Sequence, residues 1–113
     1  MPDGEIEKVY TEIDFENFWK LLSDKLNTRK EIINWTAHSG DTGENFEAKF
    51  GSMEKVLVYT HGKREPVSID KSDFKFVYNK WNNYMDEINE RSYFYKIRTS
   101  KCVISIIHQY LKK

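Results

Sequence analysis

One cysteine, two prolines and five glycines are all that punctuate this 113-residue chain. None of its apolar runs approaches the roughly 20 residues of a membrane-spanning helix. Each scarcity excludes something. The lone thiol, Cys102, permits no internal disulfide, and its neighbours Val103, Ile104, Ile106 and Ile107 predict a buried, inert side chain suited to a reducing compartment. Asp3, Glu5 and Glu7 stand where a secretory leader requires a basic start and an apolar centre, so a cytoplasmic location and no membrane partner are expected. No cysteine pair, His-x-x-x-His or His-Glu-x-x-His spacing occurs, which removes the common zinc signatures. The segment from Gly40 to Gly43 has neither the lysine nor the length of a phosphate-binding loop, and its acids are not spaced as in a calcium-binding hand. No metal and no cofactor is expected.

What the chain does contain is aromatic surface and sorted charge. Three Trp, seven Tyr and seven Phe offer large areas for burial and predict a folded domain, one over residues 1–113. Formal charge sums to zero, yet residues 1–56 hold 12 acidic and 7 basic side chains and residues 57–113 hold 6 and 11. The last 23 residues carry six lysines and arginines and no acid. Such a field steers association with an oppositely charged partner.

The hydrophobic pattern predicts an α+β domain in the order αββββαα, a four-stranded antiparallel sheet packed by three helices. Thr11 is the expected cap of a first helix whose stripe is Phe15, Phe18, Trp19, Leu22 and Leu26. Glu31 to Thr36 predicts one strand, with Ile33 and Trp35 on one face and Ile32 and Asn34 on the other. Phe46, Ala48 and Phe50 alternate with Glu47 and Lys49 as a strand with one wet face requires. Lys55 to Thr60 is nearly continuous in β-prone residues, and Val67 with Ile69 gives a fourth strand, pushed to an edge by Pro66. Asp70 is the expected cap of a second helix running through Phe74, Val77, Tyr78, Trp81, Tyr84, Met85 and Ile88. The period does not assign Tyr93 to Ile97. Thr99 or Ser100 then caps a last helix with Val103, Ile106, Ile107, Tyr110 and Leu111 as its core face.

Opposite that core face lie Lys101, Ser105, His108 and Lys112 at spacings of four, three and four, with Arg98 just before them. A basic helix face of this kind can lie along phosphates or enter a groove. Lys63 and Arg64 at a hairpin tip, and Arg91 beside the aromatic run Tyr93, Phe94 and Tyr95, extend the same footprint. Binding of DNA or RNA would thus use Lys63, Arg64, Arg91, Arg98, Lys101 and Lys112 for phosphate, with Ser105 and His108 as polar readers. Plain solvation of a surface helix explains the same lysines. The rival is a protein-interaction module, of inhibitor or immunity type, that presents Glu12, Glu16 and Asp24 to a basic protein partner. A His38 and Asp41 pair, with His61 elsewhere, is the remaining hint of catalysis, and turn formation accounts for it equally. Homodimerisation through a sheet or an aromatic helix is open.

The stretch carrying Trp35, Phe46, Ala48, the turn Gly62 to Arg64, then Asp73, Phe74, Val77, Tyr78 and Trp81, followed by Arg98, Thr99 and Ser100, resembles small proteins of bacterial gene cassettes and other mobile elements. The resemblance implies a bacterial accessory protein with an α+β fold. It carries no active-site residues onto these positions.

Overall fold

The computed structural model describes residues 10–36, 40–41, 43–52, 54–62, 64–86 and 99–112, with the backbone alone for Asp41 and Lys112. Helix α1 (Phe15–Lys25) starts at Asp14, whose extended backbone and carboxylate, accepting from Asn17 N at 2.9 Å, form the cap. Glu16 in the first turn and Lys25 in the last complement the helix dipole. The expected cap at Thr11 is corrected by this geometry. Thr11 N–H instead donates to Asn82 Oδ1 at 3.0 Å, Tyr10 Oη donates to Asp86 Oδ1 at 3.0 Å, and Tyr78 Oη donates to Ile13 O at 2.7 Å. These bonds strap residues 10–13 to a distant part of the chain. At the other end, Leu26 N–H bonds Leu22 O at 2.8 Å and Leu26 O accepts from Phe50 N at 2.9 Å, which stitches the helix exit to the sheet.

The expected four-stranded antiparallel sheet is present. Strands β1 (Lys30–Ile32), β4 (Phe46–Ser52), β5 (Lys55–Tyr59) and β6 (Val67–Asp70) lie side by side in that order. The expected strand from Glu31 to Thr36 breaks after Ile32. Its second half is β2 (Trp35–Thr36), which pairs with β3 (Gly40–Asp41) in a separate two-stranded ladder. The break also redistributes faces: Ile32 and Trp35 are buried while Ile33 is exposed. Strand β4 runs on through Gly51 and Ser52 with a register shift between Phe50 and Ser52. A Cβ on Gly51 would stand 2.9 Å from Leu57 Cγ, so the bare backbone leaves that side chain its place. Strand β6 is at the edge, as Pro66 implied.

Asp70 caps α2 (Lys71–Asn79) by backbone conformation, without a side-chain capping bond. The expected continuous second helix divides at Lys80, whose N–H bonds Val77 O at 3.1 Å, and α3 (Trp81–Asp86) follows. The break lets Trp81, Tyr84 and Met85 stay buried although the helix has ended once. The last helix is α4 (Ser100–Lys112). Among the described residues no helix is long and apolar enough to cross a membrane.

Among the described residues, the buried apolar side chains join one cluster beneath the sheet's inner face, which contributes Ile32, Phe46, Ala48, Val56, Val58 and Ile69. Aromatic rings tie the layers together: Phe18 stacks on Tyr78 at 4.7 Å, and Trp19 meets Phe50 at 5.0 Å and Phe74 at 5.4 Å. The opposite face follows from the same pairing. Glu31, Glu47 and Tyr59 form one outward row, and Lys49, Leu57 and Ser68 the next.

Two outcomes are expected. Asp14→Ala should cost about 1 kcal/mol in urea unfolding, whereas Thr11→Ala, which keeps its backbone bond, should change stability little; equal costs would contradict the cap assignment. Burial is the main cause that pushes the Tyr78 hydroxyl from its usual 10.0 up to about 12, with the Asp14 charge adding to it. The folded state therefore holds this proton more tightly than the unfolded chain. The stabilisation is complete below pH 10 and is lost as pH rises from about 10 to 12. Alkaline titration followed by tyrosinate absorbance should show a component ionising near pH 12 that is lost in Tyr78→Phe.

Candidate functional site

Helix α4 does not present the polar stripe expected of it. It is buried without interruption from Val103 to His108, with α2 against one side and the β1–β2 segment against the other. Ser105 is fully buried and His108 is 4% exposed, so neither is placed to read a nucleic acid. The physical reason lies in the strand that leaves the sheet. Among the described residues no β-strand pairs with Glu31 to Trp35 on the side of α4, and the buried Trp35 N–H there must find another partner. Gln109 supplies an amide that imitates a strand: its Oε1 accepts from Ile33 N at 2.8 Å and its Nε2 donates to Glu31 O at 2.9 Å. One turn earlier, Ser105 Oγ accepts from Trp35 N at 2.9 Å, and its hydroxyl proton lies within reach of Lys101 O at 2.8 Å and Trp35 O at 3.1 Å. The His108 ring lies flat on Trp35, with centroids 3.6 Å apart and planes 6° apart. Polar spacing on a helix marks a partner for backbone here, not a solvated face.

Of the remaining expected nucleic-acid contacts, Arg64 and Lys101 are exposed. Lys63, Arg91, Arg98, the side chain of Lys112 and the aromatics Tyr93, Phe94 and Tyr95 lie outside the described residues, as does His38. The acids of the rival reading, Glu12, Glu16 and Asp24, are exposed. Glu16 is held by Lys71 Nζ at 3.2 Å, and Lys20 stands between Glu16 and Asp24 along the helix, so α1 shows alternating signs. Cys102 is partly buried, and burial pushes its thiol up, with Lys101 opposing. Among the described residues no group of three or more His, Cys, Asp or Glu side chains is arranged to hold a metal ion.

Side chains do converge on the outer face of the sheet. An open cleft of about 350 Å³ is lined by Glu31, Asn45, Phe46, Glu47, Tyr59, Thr60 and His61. Register creates it. Glu31 pairs with Glu47, and Glu47 with Tyr59, so two carboxylates and a phenol ring stand in one row across β1, β4 and β5. Like charges at directly opposed positions repel. Two neighbours moderate the pair: Arg29 Nε is 3.4 Å from Glu47 Oε1, and Asn45 Nδ2 donates to Glu31 Oε2 at 3.2 Å. The Arg29 guanidinium also lies 3.6 Å above the centre of the Tyr59 ring. Asn45 serves both regions, since its Oδ1 accepts from Asn34 N at 3.2 Å where the strand departs. With two carboxylates against one guanidinium, the cleft keeps an acidic excess and suits a cationic or hydrogen-bond-donating ligand.

Comparison of the chain with known protein families, with curated proteins and with solved structures gave no significant match. The alternation in residues 46–50 marks the wet face in sequence. What brings Glu31 opposite Glu47, or Arg29 over Tyr59, is strand register, which has no local signature.

Ser105→Ala should leave the Trp35 N–H buried and unpaired and destabilise the fold by about 1–3 kcal/mol. A solvent-facing serine would be nearly neutral to the same change, so a loss within about 0.5 kcal/mol in chemical unfolding would contradict the placement.

Proposed function

We propose that this protein is a small binding module that recruits a protein partner through the open face of its sheet. The observation that carries this reading is the cleft across β1, β4 and β5, where carboxylates, an amide, an imidazole and an aromatic ring meet on a surface uncovered among the described residues. An acidic excess there disfavours phosphate and favours a polypeptide bearing positive charge. Burial of Ser105 and His108 removes the two side chains that base readout would have used, which lowers the weight of a nucleic-acid interface built on α4. Exposed Arg64 and Lys101 remain available for phosphate, and the test below gives that reading its own outcome. A recruiting role also suits the bacterial accessory protein that the likeness to gene-cassette proteins implies.

Affinity co-purification from the host's cells should separate the two. A face variant combining Glu31→Lys with Tyr59→Ala is expected to lose the partner retained by wild type, with its melting transition preserved. The combination Arg98→Ala with Lys101→Ala is expected to retain it. The reverse pattern, together with salt-sensitive anisotropy of labelled DNA or RNA that disappears in the second variant, would overturn the proposal in favour of nucleic-acid binding.

A further inference from the structure

We infer that the cleft is a receptor for an arginine side chain of the partner. The inference rests on the reading of the sheet face as a docking surface and names its chemistry. Arg29 demonstrates the recognition within the molecule: one guanidinium lies 3.6 Å above the Tyr59 ring while its Nε faces the Glu47 carboxylate at 3.4 Å. A planar delocalised cation suits both contacts at once, stacking on the ring and presenting its edge to oxygen. This pair is half exposed, with side-chain accessibilities of 51% and 49%, so it holds weakly and exchanges readily.

Glu31 is the part of the receptor that Arg29 leaves unneutralised. It stands at the registered position opposite Glu47, and its side chain receives a neutral amide donor from Asn45. Among the described residues no cation pairs with it. A second guanidinium entering the cleft would relieve the cross-strand repulsion, bridge the two carboxylates and meet the Tyr59 ring that also lines it. The volume of about 350 Å³ accommodates a side chain of that size, with Thr60 and His61 on the wall. Charge complementarity commits the occupant: phosphate is repelled, and a lysine ammonium, a point charge, cannot both stack and bridge.

The probe is N-acetyl-glycyl-arginyl-glycine amide at 0.15 M salt, followed by amide chemical shifts, with the lysine and glutamate tripeptides as comparisons. The arginine peptide should shift residues 31, 45, 47 and 59–61 saturably, the lysine peptide should bind more weakly, and the glutamate peptide should leave these residues unmoved. Glu31→Gln should weaken the arginine peptide about fivefold, the size of one exposed ion pair. Unchanged affinity in that variant would remove Glu31 from the receptor and overturn the inference. No saturable shift in the cleft, or equal binding of arginine and lysine peptides, overturns the receptor. Partner recruitment that still requires Tyr59 while the arginine peptide fails would discard the guanidinium chemistry and keep the docking face. A bound arginine peptide with recruitment indifferent to Tyr59 would discard the docking face.

Discussion

The first strand leaves the main sheet after three residues, and its unpaired peptide groups must be satisfied by something other than another strand. Gln109 and Ser105 of the last helix do this for Glu31, Ile33 and Trp35, and Asn45 does it for Asn34. The consequences extend in both directions. Inward, α4 is drawn against the β1–β2 segment and buried through its middle, with His108 flat on Trp35 and Trp35 within 6.4 Å of Trp81. Outward, the short β1 holds Glu31 in register with Glu47 and brings Asn45 to the rim of the cleft. Gln109 and Ser105 thus anchor the final helix to the departing strand, and Asn45 links that strand to the surface on the other side.

Much of the architecture was legible in the residue pattern because periodicity reports burial directly. The stripe Phe15, Phe18, Trp19 and Leu22 is buried as a helix face, and Phe46, Ala48, Val56, Val58 and Ile69 line the inner face of the sheet. The departures occur where a tertiary partner takes a local group or where the backbone ladder breaks while side-chain burial continues. Thr11 has cap chemistry, but its N–H is taken by Asn82, and Asp14 caps the helix. The apolar stripe of the second helix continues past Lys80 although the hydrogen-bond ladder breaks there, since side-chain burial does not require one unbroken helix. Ile32 and Ile33 look interchangeable in sequence, and only the break after Ile32 decides that one is core and the other exposed.

The candidate site was much less legible. Spacing singled out Ser105 and His108 correctly as a polar feature of α4, and the inference from polar to solvated is what failed. A helix side chain can answer a strand's backbone as readily as it answers water. The cleft residues lie on separate strands, and no motif links Arg29, Glu31, Glu47 and Tyr59 along the chain. Their assembly depends on antiparallel register, a property of pairing between segments. Sorted charge along the sequence was equally indirect, because β1 and β4 each carry one acid and one base, and register alone sets Glu31 and Glu47 in one row with Tyr59.

Residue-resolved amide hydrogen exchange in the wild-type protein tests the central claim most directly. If α4 side chains substitute for a missing strand, the Trp35 amide exchanges as slowly as the paired amides of β4 and β5, and Ile33 is protected despite its exposed side chain. Exchange of Trp35 and Ile33 at the rate of an unstructured peptide, with β4 and β5 protected, would show that the helix does not hold the departing strand and would contradict the account.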